Sequence, residues 1–296
     1  MADGFINLYK PAGWTSHDCV AKLRRLLQTK KIGHAGTLDP AATGVLPMAV
    51  GRATRLLQYL PEDKAYRAVV QLGTTTDTDD LDGQVLHQTS AAHLTATEVT
   101  AQLVNFQGKI QQIPPMYSAI HINGQRLYDL ARRGNAVDVP SREVTIHNID
   151  VVTWQPGAIA QITLDIACGA GTYIRSIARD LGQCLDVGGT LASLLRTQSS
   201  GFTLETSLNF ETMVEQPVSL IEAAVAMQHL PQIVLSHETG RRWCLGQKLP
   251  SEPSLALDQP ARIVAETGLF LGIGVFTIKD NQPHLIPKMV WASPTL

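Results

Sequence analysis

The chain has 296 residues, 44% of them apolar, and a net charge of −2. That length accommodates one large domain, or a large one and a small one, and the near-neutral charge argues against indiscriminate nucleic-acid binding while leaving room for a local basic face. No apolar run reaches membrane-helix length, the start MADGFINLYK lacks a secretory pattern, and Cys19, Cys168, Cys184 and Cys244 are too dispersed for a disulfide framework or structural zinc, so a cytoplasmic protein without membrane contact is expected.

GFINLYKP reads as a strand ending at Pro11. Gly13 turns the chain, and Thr15 or Ser16 caps a helix running to about Thr29. Val20, Leu23 and Leu27 recur at helical spacing and face a core, which leaves Lys22, Arg25 and Lys30 toward solvent. Residues 31–44 are predicted as a loop. VLPMAV follows as a strand, RATRLLQYL as a short helix and KAYRAVVQLG as an alternating strand. Thr95 and Glu98 form a capping box for a helix that presents Val99, Leu103 and Phe106 on one face.

IPPMYSAIHINGQRLYDLARRGN starts extended, turns at Asn123-Gly124 and continues as a short basic helix stopped by Gly134. It reads as an arm, about 114–142, inserted on the domain. EVTIHNIDVVTW and AIAQITLDIAC form an antiparallel pair around Pro156-Gly157. GAGTYIRSIARDLGQCL turns on glycines into a helix. Its buried stripe is Ile174, Ile177, Ala178 and Leu181, and Arg175 and Arg179 fall off it. Near Leu230 the composition shifts to short β-rich pieces: RIVAET, LFLGIGVFTI and LIPKMVW. These predict a small β-barrel or sandwich. The expected division is 1–228 and 229–296, with a linker near 225–232.

Few segments carry chemistry. CGAGTY lacks the ending and spacing of a P-loop, and no Gly-x-Gly-x-x-Gly follows a first strand, so a nucleotide cofactor is not expected. The acidic run Asp77, Asp79, Asp80 and Asp82 is out of phase for an EF-hand, and turn-forming aspartates explain it better. No metal motif and no Gly-x-Ser-x-Gly elbow occurs. Asp39 stands apart, inside KKIGHAGTLDPAATGVLPMAVGRATR. Glycines around it permit close approach of a ligand, and Pro40 holds it extended. A simple turn aspartate remains the competing reading of this residue by itself.

GHAGTLDPAATGVLP resembles the signature of the TruB family of pseudouridine synthases, which convert uridine 55 in the T arm of tRNA. KPAGWTSHD, KAYRAVVQLGTTTDTDDLDG, IPPMYSAIHINGQRLYDLARRG and GTYIRSIARDLG match the family's blocks in family order. The C-terminal segment resembles a PUA domain, a small RNA-binding module. The resemblance covers nearly the whole chain. It implies an α+β fold: a catalytic domain on a mixed, largely antiparallel sheet, followed by a PUA-like β-barrel.

It also implies roles. Asp39 matches the family nucleophile, Arg175 its arginine partner, and Tyr66 the tyrosine that stacks on the target base and is a candidate to take the C5 proton. Tyr173 and Leu194 match base-pocket positions. His34 matches the histidine that enters the T loop while the base is extruded. Lys10 is a weaker candidate for a pocket-wall or phosphate contact. Lys30, Lys31, Arg52 and Arg55 flank the motif, and Arg126, Arg132 and Arg133 lie on the arm; all seven are expected on RNA phosphates. Ala35 and Leu195 depart from the commoner threonine and arginine. The isomerisation is redox-neutral, so neither cofactor nor metal is expected, and a monomer acting on tRNA is. A guide-RNA-directed synthase lacks support, because long basic tails are missing. A non-catalytic tRNA-folding chaperone is the alternative from another class.

Overall fold

The structure is a computed structural model and describes residues 3–118, 121–122, 125–126 and 138–293. Strands in the first part are β1 (Gly4–Lys10), β2 (Ile32–His34), β3 (Thr43–Val50), β4 (Lys64–Leu72), β5 (Thr74–Thr76), β6 (Val85–Gln88), β7 (Gly108–Gln112), β8 (His121–Ile122), β9 (Gln125–Arg126), β10 (Arg142–Gln155), β11 (Ala160–Cys168), β12 (Gly189–Ser199) and β13 (Phe202–Thr203). The helices among them are α1 (Ser16–Leu26), α2 (Ala96–Leu103) and α3 (Ile174–Cys184). Then come α4 (Phe210–Glu215) and α5 (Ala223–Ala226). The chain ends with β14 (Gln232–Leu235), α6 (His237–Cys244), β15 (Leu249–Pro250), β16 (Ala261–Ala265), β17 (Phe270–Lys279) and β18 (Gln282–Val290).

One large sheet organises the described residues in the order β1-β3-β12-β4-β11-β10-β7, with β2 on β3 and β13 on β12. Its pairs are antiparallel except β12 with β3. The sheet is therefore mixed and largely antiparallel, as the family resemblance implies. Alternation explains the central strands: Tyr66, Ala68, Val70 and Leu72 of β4 are buried, and Ile162, Leu164, Ile166 and Cys168 of β11 join them in one core. α3 covers that core with Ile174, Ile177, Ala178 and Leu181. It docks closely because Gly182 meets Gly189, where a Cβ would lie 2.1 Å from the Gly189 nitrogen.

Both capping boxes form, at Thr15 with Asp18 and at Thr95 with Glu98. Three expectations change. The stretch 31–44 is not all loop, since β2 pairs with β3 through Ile32–Val50, Gly33–Ala49 and His34–Met48. RATRLLQYL is part of a 3-10 helix, Gly51–Tyr59. Arg175 lies off the apolar stripe but is buried, because loop carboxylates and carbonyls meet it there. The turn at Asn123-Gly124 and the basic helix ending at Gly134 lie outside the described residues.

The C-terminal strands form a separate five-stranded sheet, β14-β16-β17-β18-β15, with Trp243 of α6 fully buried on it. This curled sheet fits a PUA-like module. Phe270, Ile273 and Met289 from it share a core with Phe5, Val45 and Leu56. The two sheets thus meet through an apolar contact.

Candidate active site

The loop between β2 and β3 carries Asp39, and buried donors hold it in place. The Leu38 N–H donates to the Ser16 hydroxyl (2.9 Å), and the Gly13 N–H donates to the Pro40 carbonyl (2.9 Å). The Lys10 ammonium, fully buried, donates to the carbonyls of Pro11 (2.9 Å), Trp14 (2.6 Å) and Pro40 (3.0 Å). Burial holds the Lys10 amine below its usual pKa. Lys10 is therefore no pocket wall and no phosphate contact: its charge is spent on three carbonyls beneath the loop.

Arg175 arrives from the opposite side. It is the second residue of α3, just after the N-cap Tyr173. The Gln112 side chain fixes that helix start, accepting the Tyr173 N–H (2.8 Å) and donating to the Tyr173 carbonyl (3.1 Å). Arg175 Nη2 lies 3.0 Å from Asp39 Oδ2, and its Nη1 lies 3.5 Å from Asp80 Oδ2. The guanidinium also donates to the carbonyls of Thr78 (3.2 Å) and Tyr117 (2.9 Å). A buried cation needs such partners, and a guanidinium has a donor for each.

These groups border a cavity of about 710 Å³. Its lining includes Leu38, Asp39, Pro40, Lys64, Tyr66, Asp80, Tyr117, Tyr173, Arg175 and Leu194. Asp39, Tyr66, Arg175, Tyr173 and Leu194 are thus brought together. Asp39 keeps 44% of its side chain exposed, whereas Arg175 keeps 7%. The carboxylate faces the cavity, and the arginine backs it.

Tyr66 forms an apolar wall. Burial pushes its hydroxyl up to about 12, and the Arg196 guanidinium pulls it the other way. His34 does not line the cavity; it sits half-buried on β2, where burial first and the Arg196 charge second lower its pKa.

The acidic run is more than a turn. Asp79 sits 2.9 Å from Arg179, and Asp80 faces Arg175. Burial raises the pKa of both carboxyls, against the pull of their arginines. Asp79 also takes the left-handed backbone of a turn residue, at φ 60°.

Of the expected phosphate contacts, Lys30, Lys31 and Arg55 are exposed. Arg52 is exposed but committed elsewhere. Its Nε binds Asp3 (2.7 Å), its Nη1 donates to the Trp291 carbonyl (3.0 Å), and its guanidinium lies 4.8 Å from the Trp291 ring. It staples the N-terminal strand to the C-terminal sheet, so a phosphate contact would compete with that role. Arg126 has only its place on β9 described, and Arg132 and Arg133 lie outside the described residues.

Three cavity or loop groups were not singled out from sequence, Lys64, Tyr117 and Arg196, and Asp80 was read only as a turn aspartate. Lys64 shares an alternating strand with Tyr66, which would have pointed to it. Nothing local marks Tyr117 or Arg196.

Comparison with known proteins gives a consistent picture. The model described as TruB family pseudouridylate synthase, N-terminal domain, matches residues 24–174. The model described as pseudouridine synthase II TruB, C-terminal, matches residues 231–290. A tRNA pseudouridine synthase B of Gloeothece citriformis is 54% identical, across 97% of this chain and 96% of its own length. A protein of the same name from Trichormus variabilis is 52% identical, across 97% and 98%. Among solved structures, a chain of a Cbf5-Nop10-Gar1 complex superposes with TM-score 0.76 at 24% identity, covering 98% of this chain and 85% of that one. That likeness is one of fold.

Proposed function

The chain belongs to the TruB family of pseudouridylate synthases, and from that premise we propose that it converts uridine 55 in the T-arm loop of tRNA to pseudouridine, with Asp39 as nucleophile. The coarser activity, isomerisation of uridine to pseudouridine in tRNA, follows from relatives at 50% identity and above over nearly the whole chain.

The observation that carries the residue assignment is the Asp39–Arg175 pair at the cavity wall. The buried guanidinium, 3.0 Å from Asp39 Oδ2, grips the carboxylate from behind and leaves its other side facing the cavity. The reaction breaks the C1′–N1 bond, rotates the uracil and joins C1′ to C5; C5 loses a proton and N1 gains one. Asp39 attacks sugar or base, or else removes a ribose proton to give a glycal-like intermediate. Tyr66, against the rotating base, gives its hydroxyl proton to N1 and takes the C5 proton in return.

Tyr173 and Leu194 enclose the uracil, and His34 supports the loop from which it is flipped. Exposed Lys30, Lys31 and Arg55, with the arm arginines, meet the backbone of the T arm. Residues 1–228 form the catalytic unit and 229–296 the RNA-binding unit. The chain acts as a monomer, and without a cofactor because the isomerisation is redox-neutral.

The test is position mapping. Unmodified tRNA is incubated with the protein, treated with carbodiimide, and read by primer extension. A new stop at uridine 55 of the T loop, and at no other uridine, is expected. A stop elsewhere would contradict the T-arm assignment, and tRNA refolding without any stop would favour the chaperone.

A further inference from the structure

Among the described residues Arg196 is the largest fully buried charged side chain. Its exposure is 0%, and among the described residues no acidic group lies within ion-pair distance. Burying a guanidinium without a counter-ion is costly, so its neighbours are informative. Nε donates to the Val45 carbonyl (2.7 Å), Nη1 to the Thr37 carbonyl (3.3 Å) and Nη2 to the Gly36 carbonyl (3.1 Å). Gly36 and Thr37 lie just before Asp39 on its loop. The fork therefore grips the loop from behind.

Backbone register puts the same residue beside Tyr66. Arg196 is the direct cross-strand neighbour of Tyr66 on β4, and of Gly44 on β3. Their side chains are electrostatic neighbours, and the Arg196 charge acts on the Tyr66 hydroxyl. Gly44 makes the close packing possible: its φ is +104°, and a Cβ there would lie 2.3 Å from the Arg196 carbonyl oxygen. One cation thus grips the loop of one proposed catalytic group and lies across the strand from the other.

We infer that Arg196 is a positioning residue for the isomerisation, setting the Asp39 loop and the Tyr66 hydroxyl in register against the flipped uridine. It touches no substrate atom itself. A lysine keeps the charge but cannot present three donors in one plane to the three carbonyls. The inference rests on the proposed roles of Asp39 and Tyr66.

The experiment compares wild type, Arg196→Lys, Tyr66→Phe and the double variant, with Asp39→Asn as control. It measures kcat, KM, tRNA affinity and thermal unfolding. The expected result is that Arg196→Lys folds, binds tRNA within about threefold of wild type, and loses at least tenfold in kcat. That loss shrinks in the Tyr66→Phe background, because coupled residues are non-additive. Wild-type kcat in Arg196→Lys would overturn the inference, as would a full, additive loss in the double variant. If Arg196→Lys does not fold, Arg196→Gln replaces it; failure of both to fold makes Arg196 a residue of stability and also overturns the inference. An active Asp39→Asn control would instead sink the underlying reading.

Discussion

Arg175 and Asp39 meet at 3.0 Å, and only the arginine is buried. The asymmetry orders the site. Arg175 is held by two carbonyls and by Asp80 at 3.5 Å, so it stays in place whatever Asp39 does. Asp39 is left with one strong partner and one open side, which suits a group that must reach a substrate atom.

Asp80 shares the Arg175 charge, so its loss would loosen that anchor. Asp80→Asn is expected to lower kcat about tenfold, the equivalent of about 1.4 kcal/mol, with little change in tRNA affinity. Steady-state kinetics beside a binding titration checks this. Equal losses in kcat and affinity would place Asp80 in RNA binding instead.

Tyr66 is buried but reaches the cavity, with its hydroxyl pushed up to about 12. Tyr66→Phe keeps the ring and removes the hydroxyl. If that oxygen takes the C5 proton, kcat should fall by about 100-fold or more, the usual scale of general-base catalysis. Affinity for tRNA should hold. Near-normal turnover would leave Tyr66 as a stacking surface only.

The pattern of glycines and Pro40 makes Asp39 conspicuous in sequence, and alternation exposes β4 and β11. Arg175 carries no such mark; only the family resemblance ties GTYIR to Asp39. Arg196 was invisible for a physical reason: its environment comes from the β12–β4 and β12–β3 registers, and no local pattern encodes a pairing between distant strands. Lys10 and Arg52 mislead in the same way. A lysine beside a motif looks like a phosphate ligand until its burial is known, and Arg52 until Trp291 lies against it. The aspartates at 79 and 80 were legible as turn residues, but their arginine partners on α3 were not.

Lys10 gives a direct contrast with a phosphate ligand. Lys10→Met leaves three carbonyls without their donor, and Tm should fall by roughly 3–10 °C. The salt dependence of tRNA binding should not change. Arg55→Ala, by contrast, should reduce the slope of log affinity against log salt by about 1 and leave Tm alone.

His34 supplies a pH signature. Burial holds its pKa below the usual 6.5, so the unfolded chain binds its proton at higher pH than the folded one. Stability from this residue is present above pH 6.5 and is lost as pH falls below it. Denaturant unfolding of wild type and His34→Asn between pH 7.5 and about 5 should show the wild type losing ground to the variant as acid is added. Parallel curves would mean that His34 is not desolvated in the folded protein.

The most direct measurement is tritium release from tRNA carrying uridine labelled at C5, with wild type, Asp39→Asn and Arg175→Lys under single-turnover conditions. Wild type should release tritium from one site per tRNA, Asp39→Asn should release none, and Arg175→Lys should release it far more slowly while still binding tRNA. Undiminished release by Asp39→Asn would contradict the assignment of Asp39 as nucleophile.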